Sequence, residues 1–139
     1  MLSKKILTDK ISKIIPIYDF QLKENKYLWT ETYTLVYRDY DRLTIEEIQS
    51  GCGALLLSGY CSLLHVIETE KLEEIIKVFI QHYNRTIITT LGDSKTSDYD
   101  SLEDAEILLE KIGFKKIATY ENKQHRNDNH LQNLWIYIM

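Results

Sequence analysis

The stretch "TEKLEEIIKVFIQHYNRTIITTLG", residues 69 to 92, constrains this chain more than any other. Leu72, Ile75, Ile76, Phe79 and Tyr83 recur at helical spacing on one face, and Thr69 stands where an N-cap belongs. The β-branched run at 85–92 then reads as a short buried strand. A one-faced helix feeding a buried strand needs a sheet to lie on. The unit repeats: residues 102–112 form a helix with Leu102, Ala105, Leu108, Leu109 and Ile112 on its apolar face. Ser101 caps it, Asp104 gives a capping-box-like start, and Gly113 takes the left-handed C-terminal position. "FKKIATYE" is a strand, "NKQHRNDNHLQN" a polar hairpin loop, and "LWIYIM" a closing strand. From about residue 61 the order is strand, helix, strand, helix, strand, strand. That order predicts a three-layer α/β domain, a central mixed sheet flanked by helices and joined by right-handed crossovers.

The first sixty residues carry weaker signals. Residues 3–15 place Ile6, Leu7, Lys10, Ile11 and Ile14 near one helical face, and Pro16 ends that helix. "YTLVYRDY", 33–40, reads as a strand, and "DRLTIEEIQSG" as a short helix from Thr44 to a stop at Gly51. Residues 51–67 are two apolar runs parted by "SGY", which suggests a hairpin-like strand pair, with a single buried helix as the rival. A chain of 139 residues suits one domain, 1–60 forming its divergent amino-terminal part and 61–139 the regular part.

Composition narrows the function classes. A net charge of -4 and the scattering of lysines near the amino end speak against binding nucleic acid through phosphates. Two cysteines, Cys52 and Cys61, suggest free thiols in a reducing compartment. With no leader-like or membrane-spanning apolar run, the cytoplasm is the expected location. Ten tyrosines supply amphipathic surface for packing or for a protein partner.

"EILLEKIGFKKIATYEN", with its Lys111-Ile112-Gly113-Phe114 corner, resembles the carboxy-terminal half of the GNAT superfamily, the Gcn5-related N-acetyltransferases. The resemblance covers roughly the last eighty residues. It implies a fourth strand leading into a helix that holds the acetyl-CoA pyrophosphate, then strand, helix and two final strands. On that reading Val66, Thr69 and Lys71 would be the cofactor-binding residues. The family's glycine-bearing pyrophosphate loop is replaced by "VIETEKLEEI", where Glu68, Glu70, Glu73 and Glu74 crowd the helix start. Leu109 stands where many members carry a proton-donating tyrosine, and Leu102 where an asparagine often opens the helix; Tyr99 and Tyr120 are the substitutes at hand. The chain is also similar to a small GNAT-like internal virion protein of short-tailed phages, which lacks the same loop. These absences lead to the expectation of a non-enzymatic, phage-encoded protein without a cofactor. It would act through protein contacts, in the virion or the host cytoplasm. The alternative is a divergent acetyl-CoA-dependent N-acetyltransferase.

The residues also offer other chemistry. "GCGALLL" places Cys52 at an apparent helix start, where a lowered pKa and His82 as base would make a papain-like pair, oriented by Asn84 or Asp93. A small buried cysteine in a strand is the plainer reading. His65, Cys61 and Cys52 lack metal spacing, and His125 and His130 fall in a solvated loop, so no metal is expected. Asp39, Asp41, Glu46 and Glu47 read as an acidic face.

Overall fold

A computed structural model describes residues 2–25, 31–48, 53–95, 102–121 and 131–138. Helix α1, Leu2–Ser12, buries Leu7 and Ile11 completely and is followed by a 3-10 turn at Ile17–Asp19. Three antiparallel pairings then build a meander: β1 (Phe20–Asn25), β2 (Thr32–Tyr37), β3 (Asp41–Glu47) and β4 (Leu55–Ser58). Helices α2 (Tyr60–Leu63) and α3 (Thr69–Tyr83) lead to β5 (Ile87–Gly92), and α4 (Leu102–Ile112) leads to β6 (Lys115–Glu121) and β7 (Leu131–Tyr137). The seven strands form one mixed sheet in the order β1-β2-β3-β4-β5-β7-β6, with β4 and β5 parallel. The α/β class and the mixed sheet flanked by helices are those the sequence predicts, with the described helices on one face rather than in two layers.

Strand alternation sorts the sheet into two faces. Leu22, Leu35, Leu43, Ile45, Leu55, Leu57, Ile87, Leu91 and Trp135 join one core cluster with the apolar faces of α1, α3 and α4. Those helices touch in sequence, α1 against α3 and α3 against α4. Cross-strand register sets Glu46, Leu56, Ile88 and Ile136 in a row on the opposite face. Among the described residues that face carries no helix. Burying one fully enclosed leucine or isoleucine contributes roughly 1.5–3 kcal/mol, so the helix-facing cluster dominates the fold's stability.

Several local expectations are corrected. Residues 41–47 are strand, not helix: Leu43 and Ile45 point into the core while Arg42 is exposed, a period of two. Residues 55–63 are a strand followed by a short helix, neither a hairpin nor one long helix. Gly59 makes the switch at φ +89, and a Cβ there would sit 2.0 Å from the Arg42 carbonyl oxygen. The strand preceding α3 therefore begins at Leu55, before residue 61. Thr69 is the first helical residue of α3 rather than its cap; Glu68 is the N-cap and makes no side-chain capping bond. Strand β1 was not anticipated, although Phe20 and Leu22 alternate with exposed Gln21 and Lys23. Helix α4 spans the predicted residues, and Gly113 takes φ +118 beyond its end. Ser101 and Gly51 lie outside the described residues.

Candidate active site

Strands β4 and β5 keep parallel register at only two positions, Leu55 with Ile87 and Leu56 with Ile88. Beyond them the strands are bridged by side chains. Thr89 Oγ1 donates to the Leu57 carbonyl at 2.8 Å and lies 2.8 Å from Tyr60 Oη. The threonine hydroxyl has one proton, and a carbonyl only accepts, so Tyr60 is the donor of the second bond. Tyr60 and Thr89 are both buried. Burial pushes the Tyr60 phenol well above its ordinary range, so it stays neutral.

On the other side of β5, Trp135 of β7 is the register partner of Thr89. Its ring is buried, and Nε1 finds no acceptor among the described residues. A buried N–H without a partner costs about 1–3 kcal/mol, which makes this position one that would gain from an incoming acceptor.

Because β7 is antiparallel to both β5 and β6, the carboxyl ends of β4, β5 and β6 share one edge. The start of α3 opens at the same edge, the usual location for ligands in such sheets. Its first turn closes through Leu72 N–H to the Glu68 carbonyl at 3.0 Å, and no side chain caps the preceding amides. The acidic crowding seen in the sequence persists in part, with Glu68 at the N-cap itself. Glu73 is held by Lys77 at 2.8 Å, and Glu70 is the one acidic residue of the first turn, next to Lys71. Val66 is exposed in the turn before the helix, its amide bonded to the Leu63 carbonyl at 3.1 Å. Val66, Thr69 and Lys71 are thus brought together at this edge.

The remaining candidates sit elsewhere. Tyr120 is exposed near the end of β6, two strand spacings or roughly 10 Å from β5. Leu109 is fully buried in α4, and Leu102 nearly so. Cys61 is half-buried, and burial raises its thiol pKa. His82 lies in the last turn of α3, the end opposite Thr69, with Nε2 2.8 Å from Ser3 Oγ. Cys52, Tyr99, His125 and His130 lie outside the described residues. Among the described residues no cluster of three His, Cys, Asp or Glu side chains is placed to hold a metal ion, and no helix is long and apolar enough to cross a membrane. Sequence reasoning missed Tyr60, Thr89 and Trp135. Each sat in a run that read simply as apolar or β-branched, and only the register of three strands joins them.

No protein-family model matches the chain, and no curated protein sequence does. Solved structures do match. RimL, the ribosomal L7/L12 alpha-N-protein acetyltransferase in an apo crystal form, aligns with TM-score 0.54 and 12% identity, over 78% of this chain and 68% of its own. A GNAT-family acetyltransferase from Bacillus anthracis aligns with TM-score 0.50 and 10% identity, over 77% of this chain and 65% of its own. Naa50 of Arabidopsis thaliana, in complex with the bisubstrate analogue CoA-Ac-MVNAL, matches at 0.48 and 14% identity over 98% and 93%. At these identities the likeness is one of fold, and the fold is that of GNAT acetyltransferases.

Two expectations are corrected by these matches. The neighbours are acetyltransferases, which favours the acetyltransferase alternative over a non-enzymatic phage protein acting by contact. The expectation of no cofactor falls with it, because it rested on the reading of a non-enzymatic protein.

Proposed function

We propose that this chain is a divergent N-acetyltransferase that uses acetyl-CoA. The observation that supports it most directly is the early parting of β4 from β5 beside the uncapped start of α3. Uncapped amides at a helix N-terminus, with the positive end of the helix dipole, suit a pyrophosphate. Thr69 and Lys71 would hold it, Lys71 contributing the cation, with Val66 lining the turn beside them. The turn has no glycine, so side chains keep the phosphates farther from the backbone than the family's loop does, and binding weaker than the family's follows. The buried Trp135 N–H, without an acceptor among the described residues, and the Tyr60 hydroxyl are donors that such a ligand would use.

Bound acetyl-CoA would supply an activated acetyl thioester, its sulfur leaving as a thiolate once an amine has taken the acetyl group. Tyr60 would be the donor to that sulfur, in the role of the family's tyrosine whose place Leu109 takes, its hydroxyl turning from Thr89 Oγ1 to do so. Its raised pKa keeps the proton on oxygen, so it stabilises the departing charge rather than surrendering the proton outright. The Trp135 Nε1–H, which has no acceptor among the described residues, would be a second donor available to the thioester. Thr89 fixes the Tyr60 hydroxyl between reactions.

Calorimetric titration with acetyl-CoA and with CoA tests the reading. Binding in the micromolar range, about -8 kcal/mol, is expected. Heat absent up to millimolar cofactor, together with no thiol release from acetyl-CoA in the presence of amines, would overturn it.

A further inference from the structure

Strand β6 differs from every other strand of the sheet: all seven of its residues are exposed, Ile117 and Tyr120 among them. Among the described residues only β7 hydrogen-bonds to it, which makes it an edge of the sheet. Ordering each residue of a strand opposes folding by about 1–2 kcal/mol, and β6 buries no side chain in return. A free edge of this length offers unpaired backbone groups to another strand.

We propose that β6 is the two-fold interface of a homodimer, in which a second copy of this chain pairs antiparallel with it. The argument is self-complementarity. Register places Lys116, Thr119 and Glu121 opposite Trp135, Asn133 and Leu131, on the helix-bearing face, and Ala118 and Tyr120 opposite Leu134 and Gln132, on the other. A two-fold axis perpendicular to a sheet preserves its faces, so residues pair only with residues of the same face. Centring the axis on Thr119 satisfies this. Ala118 then meets Tyr120 of the second copy, and Glu121 of the second copy meets the bulge that begins at Lys116. The register shift between Lys116 and Ala118 is what brings lysine and glutamate to one face. Lysines and bulges ordinarily guard an edge against strangers. Here the lysine has its counter-charge on the matching strand, twice by symmetry, so the same features admit a second copy and refuse other strands.

Sedimentation velocity on the full chain, across a wide concentration range, is the test. A species of twice 16.5 kDa is expected at high concentration. Lys116→Glu and Glu121→Lys should each raise the dimer dissociation constant about tenfold. The double exchange should return it towards the wild-type value, since the charges are swapped rather than lost. Circular dichroism of each variant confirms that the exposed substitutions leave the fold intact. A monomer at every concentration up to near-millimolar would overturn the proposal. So would a dimer indifferent to both single exchanges, or one that the double exchange fails to restore.

Discussion

At the scale of single residues, three side chains give separable readouts. Tyr60→Phe removes one hydroxyl from a buried chain of hydrogen bonds and leaves Thr89 bonded to Leu57. Losing a donor to a charged sulfur corresponds to about 1.5–3 kcal/mol, so kcat should fall roughly 10- to 100-fold with the acetyl-CoA KM unchanged. Steady-state kinetics separates these; an unchanged kcat would remove Tyr60 from the chemistry. Gly59→Ala belongs to stability instead. A methyl group 2.0 Å from a backbone oxygen, at a positive φ, should destabilise by about 3 kcal/mol or prevent folding, seen as a fall in Tm. His82 controls pH dependence. Burial first, and the nearby Lys10 second, lower its pKa below the usual histidine value, with Glu31 opposing. The folded state therefore binds fewer protons than the unfolded one just below that value. Stability contributed by the neutral ring is complete above about pH 6.5 and declines as pH drops towards the lowered pKa. His82→Gln should flatten that decline in a Tm-against-pH series, and an unaltered slope would assign it to another group.

At the scale of elements, the start of α3 is the decisive piece. Lys71→Glu puts a second acid in a turn that holds Glu70, and the acetyl-CoA KM should rise about tenfold while Tm barely moves. Elements with strong periodicity were legible from sequence: α3, α4, β6 and β7 lie within a few residues of their predicted spans. Their apolar positions repeat at a spacing that one geometry alone buries. Residues 41–67 were not legible, for two reasons. "DRLTIEEI" supports both a helical cap and a period of two, and what decides is the hairpin turn before it, where Arg38 and Asp39 take positive φ. The outcome at "SGYCSLL" depends on Gly59 meeting the Arg42 carbonyl, a contact across strands that no local window contains. The candidate site fared likewise. Val66, Thr69 and Lys71 could be named from the sequence because the resemblance points to one helix start, whereas Tyr60, Thr89 and Trp135 meet only through strand register.

At the scale of the whole molecule, the helices gather on one face and leave Leu56, Ile88 and Ile136 half-buried on the other. The order of assembly follows from the sheet order. β7 lies between β5 and β6, yet it is made after both. As the chain leaves a ribosome, β1 to β4 can pair with the neighbours that come next, while β5 and β6 hold a gap one strand wide. The sheet is therefore closed by its final insertion, as a keystone closes an arch. A chain arrested before residue 131 would expose two unfinished edges that seek the same missing strand.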